Sequence, residues 1–220
     1  MKTTLAILFA LSLGMSAVGD EQAKKQFDSL KVLAERGDAR AQCNLGLMYT
    51  HGIGVAKNIK EGVKWTRSAV LKGDHMAQAI FGGMHQYGRG VPEDKKEAVR
   101  WYRKAAEQGY DKAQTILGNS YKNGHGVPKD NKEAVKWYRK AAEQGYVAAQ
   151  HNLGFMYATG NGVPKDFMSA YTWWCIAAAN GGADSLKNND LLAKRMTFEQ
   201  TAKAAELARK MVKKNPKLLK

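Results

Sequence analysis

The chain has 220 residues and a formal net charge of +15, with 44% apolar and 25% charged residues. Those proportions sit near the globular average, which excludes a disordered tail and a multi-span membrane protein, and two cysteines exclude a dense disulfide scaffold and a four-cysteine zinc site. The departure is in glycine: 22 Gly stand beside only four Pro, which predicts many sites of positive φ or close backbone approach, not a linker.

In chain order, the first element is an address. Met1-Lys2-Thr3-Thr4 is a short basic start, Leu5–Leu13 is apolar and uncharged, and small residues Ala17 and Gly19 precede Asp20-Glu21. This pattern reads as a secretory signal peptide over residues 1–19, cleaved after Gly19. The uncharged stretch falls short of the ~20 residues that a membrane span needs, and cleavage leaves a mature charge of +14, since only Lys2 is lost. Residues 20–36 form an N-terminal capping helix, in which Phe27, Leu30, Leu33 and Ala34 share one face.

Residues 37–180 repeat with a period of 36 and no gaps, as units 37–72, 73–108, 109–144 and 145–180. Each unit reads as helix, loop, helix. The first helix buries a stripe such as Ala41, Leu45, Gly46 and Tyr49, and the recurring internal glycine predicts a neighbouring helix against bare backbone. The loop is G-x-G-V-P, as in Gly88–Pro92, where glycines permit a tight reversal and proline ends the helix. The second helix opens at an N-cap (Asn58, Asp94, Asp130, Asp166), and Glu61, Glu97 and Glu133 three residues on predict capping boxes. Its buried stripe is Ala98, Trp101, Tyr102, Ala105 and their copies. Residues 181–220 hold a degenerate fifth copy and a C-terminal capping helix, opened by a capping box at Thr197–Gln200 and running to about Lys213. Of the 22 glycines, 17 occupy four recurring places in this repeat.

The pattern A-Q-x-x-L-G-x-M-Y-x-x-G-x-G-V-P-x-D-x-x-E-A-x-x-W-Y-x-K-A-A-x-x-G resembles the Sel1-like repeat, a relative of the tetratricopeptide repeat, and covers residues 37–180. The C-terminal LLAKRMTFEQTAKAAELA also resembles the ending of bacterial members. The resemblance implies an all-α, right-handed α-α solenoid that binds proteins. It also implies an exported bacterial type linked to envelope processes and host interaction.

Repeat positions 4, 7, 11 and 14 vary between copies and fall on one side of the first helix. In tetratricopeptide relatives that side lines a concave groove, which makes Arg40, Cys43, Leu47, Met76, Gln86, Lys112, Thr115, Asn119, Lys122, His151 and Phe155 candidate ligand-binding residues. Such a face suits an extended peptide or helix with an acidic group meeting Lys112 and Lys122. The basic residues of the second helices, such as Arg100, Arg103 and Lys104, read as an outer solvated face. The alternative for them is peripheral contact with anionic envelope polymers or lipid headgroups. An exported protein is not expected to meet nucleic acid.

Catalytic and metal constellations are missing from the sequence. The five histidines stand at unrelated positions without HExxH or CxxC spacing, and no cofactor is implied. Neither S-x-x-K nor K-T-G occurs, against a penicillin-binding or β-lactamase-like enzyme. Cys43 and Cys175 lie three repeats apart, too far for an intramolecular disulfide, which leaves pairing between chains open. The sequence therefore predicts a monomeric, non-catalytic adaptor, periplasmic or secreted, that binds a protein or peptide.

Overall fold

The computed structural model describes residues 17–219; all but three residues of the predicted signal peptide lie outside that range. The chain divides into two compact units, one ending at Trp101 and one beginning at Tyr102. Among the described residues the secondary structure is eleven α-helices and one 3-10 turn. Unit 1 holds α1 (Ala17–Glu35), α2 (Ala39–His51), α3 (Ile59–Leu71), α4 (His75–Tyr87) and the first half of α5 (Lys95–Glu107). Unit 2 holds the rest of α5, then α6 (Asp111–Asn123), α7 (Asn131–Ala142), α8 (Val147–Thr159), α9 (Phe167–Ala179), α10 (Ala183–Ala193), α11 (Phe198–Lys214) and the turn Pro216–Leu218.

In each repeat the first loop glycine ends the first helix in the left-handed conformation, as Gly124 does at φ 74° while its N–H donates to the Ser120 carbonyl. The second loop glycine also answers a close approach. At Gly162 (φ 77°), a Cβ would lie 2.9 Å from the backbone nitrogen of Lys132, in the first turn of α7. The internal glycine accepts a neighbouring side chain: a Cβ on Gly118 would lie 2.6 Å from the Tyr138 ring, and one on Gly154 2.5 Å from the Trp174 indole.

The predicted N-caps form, with the Asp130 carboxylate accepting from Lys132 N at 2.9 Å and Glu133 N at 3.0 Å. The capping boxes predicted at Glu61, Glu97 and Glu133 do not close. The N–H of each cap residue donates instead to the end of the preceding first helix: Asn58 to Tyr49 O at 2.8 Å, Asp94 to His85 O at 2.9 Å, Asp130 to Tyr121 O at 2.9 Å. The glutamates are left to pair with cations one turn on, Glu97 with Arg100 at 3.0 Å and Glu61 with Lys64 at 3.5 Å. Only Thr197 and Gln200 complete a reciprocal box among the described helices.

Consecutive repeats are also joined by buried amides. Gln42 Nε2 donates to Ala34 O at 3.0 Å, Gln114 Nε2 to Ala106 O at 3.0 Å and Gln150 Nε2 to Ala142 O at 3.2 Å. Each bond ties a first helix to the last carbonyls of the helix before it, which for Gln42 is the capping helix α1. The other amide atom is used as well: Gln144 Nε2 donates to Gln114 Oε1 at 2.8 Å, and Asn180 Nδ2 to Gln150 Oε1 at 3.0 Å. At the C-terminus, Leu218 O accepts from Gln150 Nε2 at 2.9 Å and from Asn180 Nδ2 at 2.6 Å. The Leu218 side chain, 2% exposed, enters the main core of unit 2 beside Ala142, Leu153 and Ala208. The core of unit 1 gathers Phe27, Ala34, Leu45 and Met48 between α1 and α2.

Candidate functional site

The eleven candidate residues separate by burial. In unit 1, Cys43 is fully buried and Met76 is 7% exposed, and in unit 2 Thr115 is 5% exposed. These three are interior residues and do not line a ligand face. The Cys43 thiol hydrogen-bonds the Asp74 carboxylate, and burial, reinforced by that carboxylate, pushes its pKa up, so the thiol stays protonated. Thr115 spends its hydroxyl on Asp111 O at 3.0 Å, one turn back in its own helix. Arg40 is half-buried and its guanidinium lies 3.7 Å from Asp74, which neutralises it. Leu47 and Gln86 are half-buried, and Gln86 donates to the neighbouring Tyr87 hydroxyl at 3.1 Å.

In unit 2 the remaining candidates are brought together by α6 and α8. Asn119 Oδ1 accepts from the buried Tyr138 hydroxyl at 2.7 Å and from Asn152 Nδ2 at 3.4 Å. One turn further along both helices, Lys122 Nζ stands 4.8 Å from the centre of the exposed Phe155 ring. Lys112, at the start of α6, is exposed. Asn152 lies outside repeat positions 4, 7, 11 and 14; its equivalents are Asn44, Ile80 and Ile116, and two apolar residues of the three give no sequence signal of a ligand face.

Next to this strip, the first turns of α8 and α10 border a cleft of about 530 Å³, walled on its apolar side by Tyr146, Val147, Ala148 and Ala183, and lined also by His151, Asn152, Asn180, Asp184 and Ser185. His151 Nδ1 lies 2.9 Å from the Ser185 hydroxyl, and its carbonyl accepts from Trp174 Nε1 at 3.0 Å. Burial lowers the His151 pKa; Asp184 opposes this and Lys122 adds to it, so the imidazole is neutral at pH 7. Ser185 is only 1% exposed, a poor position from which to reach a substrate carbonyl, and its neighbour Asp184 lies 3.8 Å from Lys187 rather than on the imidazole.

The arginines read as an outer solvated face are partly committed to packing. Arg103 and Arg139 are half-buried, with guanidinium carbons 5.7 Å and 5.9 Å from the ring centres of Tyr121 and Tyr157, and each donates to that tyrosine's hydroxyl. A long cation beside an aromatic in the next helix gains more from stacking than from solvent alone. Cys175 takes this repeat position in the fourth copy, where it is half-buried beside Asn189, whose side-chain oxygen accepts from the Cys175 backbone N–H at 3.1 Å. Both cysteines are free thiols. Among the described residues no three His, Cys, Asp or Glu side chains are grouped to hold a metal ion, and no helix is long and apolar enough to cross a membrane.

The Sel1 repeat profile matches residues 39–74, 75–110, 111–146 and 147–182, the same 36-residue period read two residues later than the copies that open at Gly37. The chain belongs to the Sel1 repeat family. Its fold is the α-α solenoid of that family, and Sel1 repeats generally act as scaffolds for protein–protein interaction. The structure is similar to that of c5321, a protective antigen present in uropathogenic Escherichia coli strains that displays an SLR fold, with a TM-score of 0.80 and 34% identity over 97% of this chain and 45% of that one. It is also similar to a Sel1 repeat protein from Oxalobacter formigenes, with a TM-score of 0.72 and 35% identity over 77% of this chain and 50% of that one. An immunity protein from Pseudomonas aeruginosa, Pa5087, shares the fold at 19% identity and a TM-score of 0.56. The chain thus spans half or less of the length of the first two relatives.

Proposed function

We propose that this protein is a non-catalytic adaptor that captures a protein or peptide partner on the first-helix face of its repeats, centred in unit 2 on Asn119, Lys122, His151, Asn152 and Phe155. One observation carries the reading: Phe155 is exposed beside Lys122, on a strip that continues into an apolar-walled cleft. An exposed aromatic with an adjacent cation and pocket is the composition of a binding anchor. The leader-like sequence of residues 1–19 supports export to the periplasm or beyond the cell, and the family supports a scaffold role.

The test uses the mature protein as bait against its own envelope fraction. Phe155→Glu and Lys122→Glu are expected to abolish capture with unchanged far-UV circular dichroism, while Lys136→Glu on the opposite helix of the repeat leaves it intact. Capture indifferent to Phe155 and Lys122 would overturn the assignment. Raising salt separates this reading from a charge-driven one, because binding to anionic polymer or lipid falls steeply with ionic strength and anchoring by Phe155 does not. The commitment of Arg103 and Arg139 to tyrosines, and of Arg100 and Lys136 to glutamates, weighs against the charge-driven reading.

A further inference from the structure

Resting on that reading, we propose that the unit 2 face selects one chemistry: an extended acidic segment, its backbone read by the Asn119–Asn152 amide pair and its carboxylate taken by Lys122. The amide pair is the first support. Asn119 spends only its oxygen inside the protein, on Tyr138 and Asn152, and Asn152 spends only its nitrogen. Asn119 Nδ2 and Asn152 Oδ1, one donor and one acceptor on neighbouring helices, therefore remain unspent. A residue of an extended chain points its own N–H and C=O to the same edge, and this is the pairing such a donor and acceptor can complete. The Tyr138 hydroxyl, buried beneath Asn119, fixes which way that amide faces.

Charge is the second support. Position 4 of the repeat carries a cation in α2 and in α6, but Arg40 in α2 is matched by Asp74. Lys112 and Lys122 of α6 are in no ion pair, and the contact of Lys122 is with the Phe155 ring. Lys122 and Phe155 each lie three residues beyond Asn119 and Asn152, one helical turn in the same direction. A carboxylate on the extended segment thus comes within reach of Lys122 when a neighbouring residue sits on the amide pair. In the opposite direction Ala148 opens the cleft, whose walls of Val147, Ala148 and Ala183 suit an apolar side chain. From Ala148 to Phe155 is about 10 Å along the helix, or about three extended residues. The segment recognised therefore carries an apolar residue and an Asp or Glu about three residues apart.

Fluorescein-labelled synthetic peptides of about eight residues test this by anisotropy on the mature protein. One set carries Leu and Asp at the stated spacing, one replaces the Asp by Asn, and one N-methylates the backbone of the residue next to the Asp on its Leu side, the one that sits on the amide pair. The Asp peptide is expected to bind about tenfold tighter than the Asn peptide. In Lys122→Gln that gap closes while affinity for the Asn peptide holds. N-methylation is expected to weaken binding to the native protein about tenfold, but to have little effect on Asn152→Leu, which has already lost the acceptor. Equal binding of Asp and Asn peptides, a preference that survives Lys122→Gln, indifference to N-methylation, or no peptide binding at all would each overturn the inference. Envelope capture by Phe155→Glu then tells which claim has failed: if capture is lost while the peptides do not discriminate, the adaptor reading stands and the acidic-segment inference falls.

Discussion

Gln42, Gln114 and Gln150 hold one repeat position and make one bond to the helix before them, yet only two of the three satisfy both halves of the amide. Gln114 and Gln150 have their oxygens paired by Gln144 and Asn180; Gln42 Oε1 is buried without a partner. The cause is legible one position at a time: where the third and fourth copies place an amide, the first places Lys72, whose ammonium turns to Gly37 O at 2.5 Å. Lys72→Gln is expected to complete the pair and to raise stability by about 1 kcal/mol in urea unfolding, since an orphaned buried acceptor costs more than an exposed lysine contact returns. His151 offers a test of sign. Its folded pKa lies below the ordinary histidine value, so the unfolded chain takes up the proton first as pH falls, and stability is lost from the ordinary histidine range downward until the folded pKa is passed. His51 shifts in the same direction, so His151→Gln should flatten, without abolishing, the drop in urea midpoint between about pH 8 and pH 5.

At the scale of the helix, the internal glycines show how packing overrides propensity. Gly→Ala inside an exposed helix stabilises by about 1 kcal/mol, but Gly118 lies against the ring of Tyr138, which is fully buried and held by Asn119. Gly118→Ala should therefore destabilise, by about 1–3 kcal/mol, as measured by urea unfolding. This contact was readable from sequence, because an unfavourable residue recurring in phase requires a reason. The N-caps and loop glycines were readable on the same ground. The failure of the capping boxes was not, because the competing acceptor is a carbonyl at the far end of another helix, as with Tyr121 O for the Asp130 N–H. The face residues were half legible: spacing placed Lys122 and Phe155 on one side, but it could not show that Cys43, Met76 and Thr115 point inward or that Asn152 joins Asn119. Side chains at the edge of a helical stripe turn in or out according to their neighbours, and a repeat pattern alone does not resolve that.

Unit 2 closes with its own C-terminal residues, where Leu218 fills the core and its carbonyl takes two amide donors. Leu218→Ala should cost about 2–4 kcal/mol, and because repeat proteins couple mainly to nearest neighbours, amide exchange should quicken in α7, α9 and α11 while α2 and α3 keep their protection. The bonds between repeats have a consequence for how such a chain lengthens. Residues 109–144 carry Gln114, which grips the carbonyl that precedes it, together with Gln144, which completes that same glutamine thirty positions later. The segment is a self-sufficient cassette, with a leading hook and its own latch. A tandem duplication of it in the gene would deliver a copy whose glutamine joints are already matched to both neighbours, so array length can change in one recombination event without a new substitution at those joints.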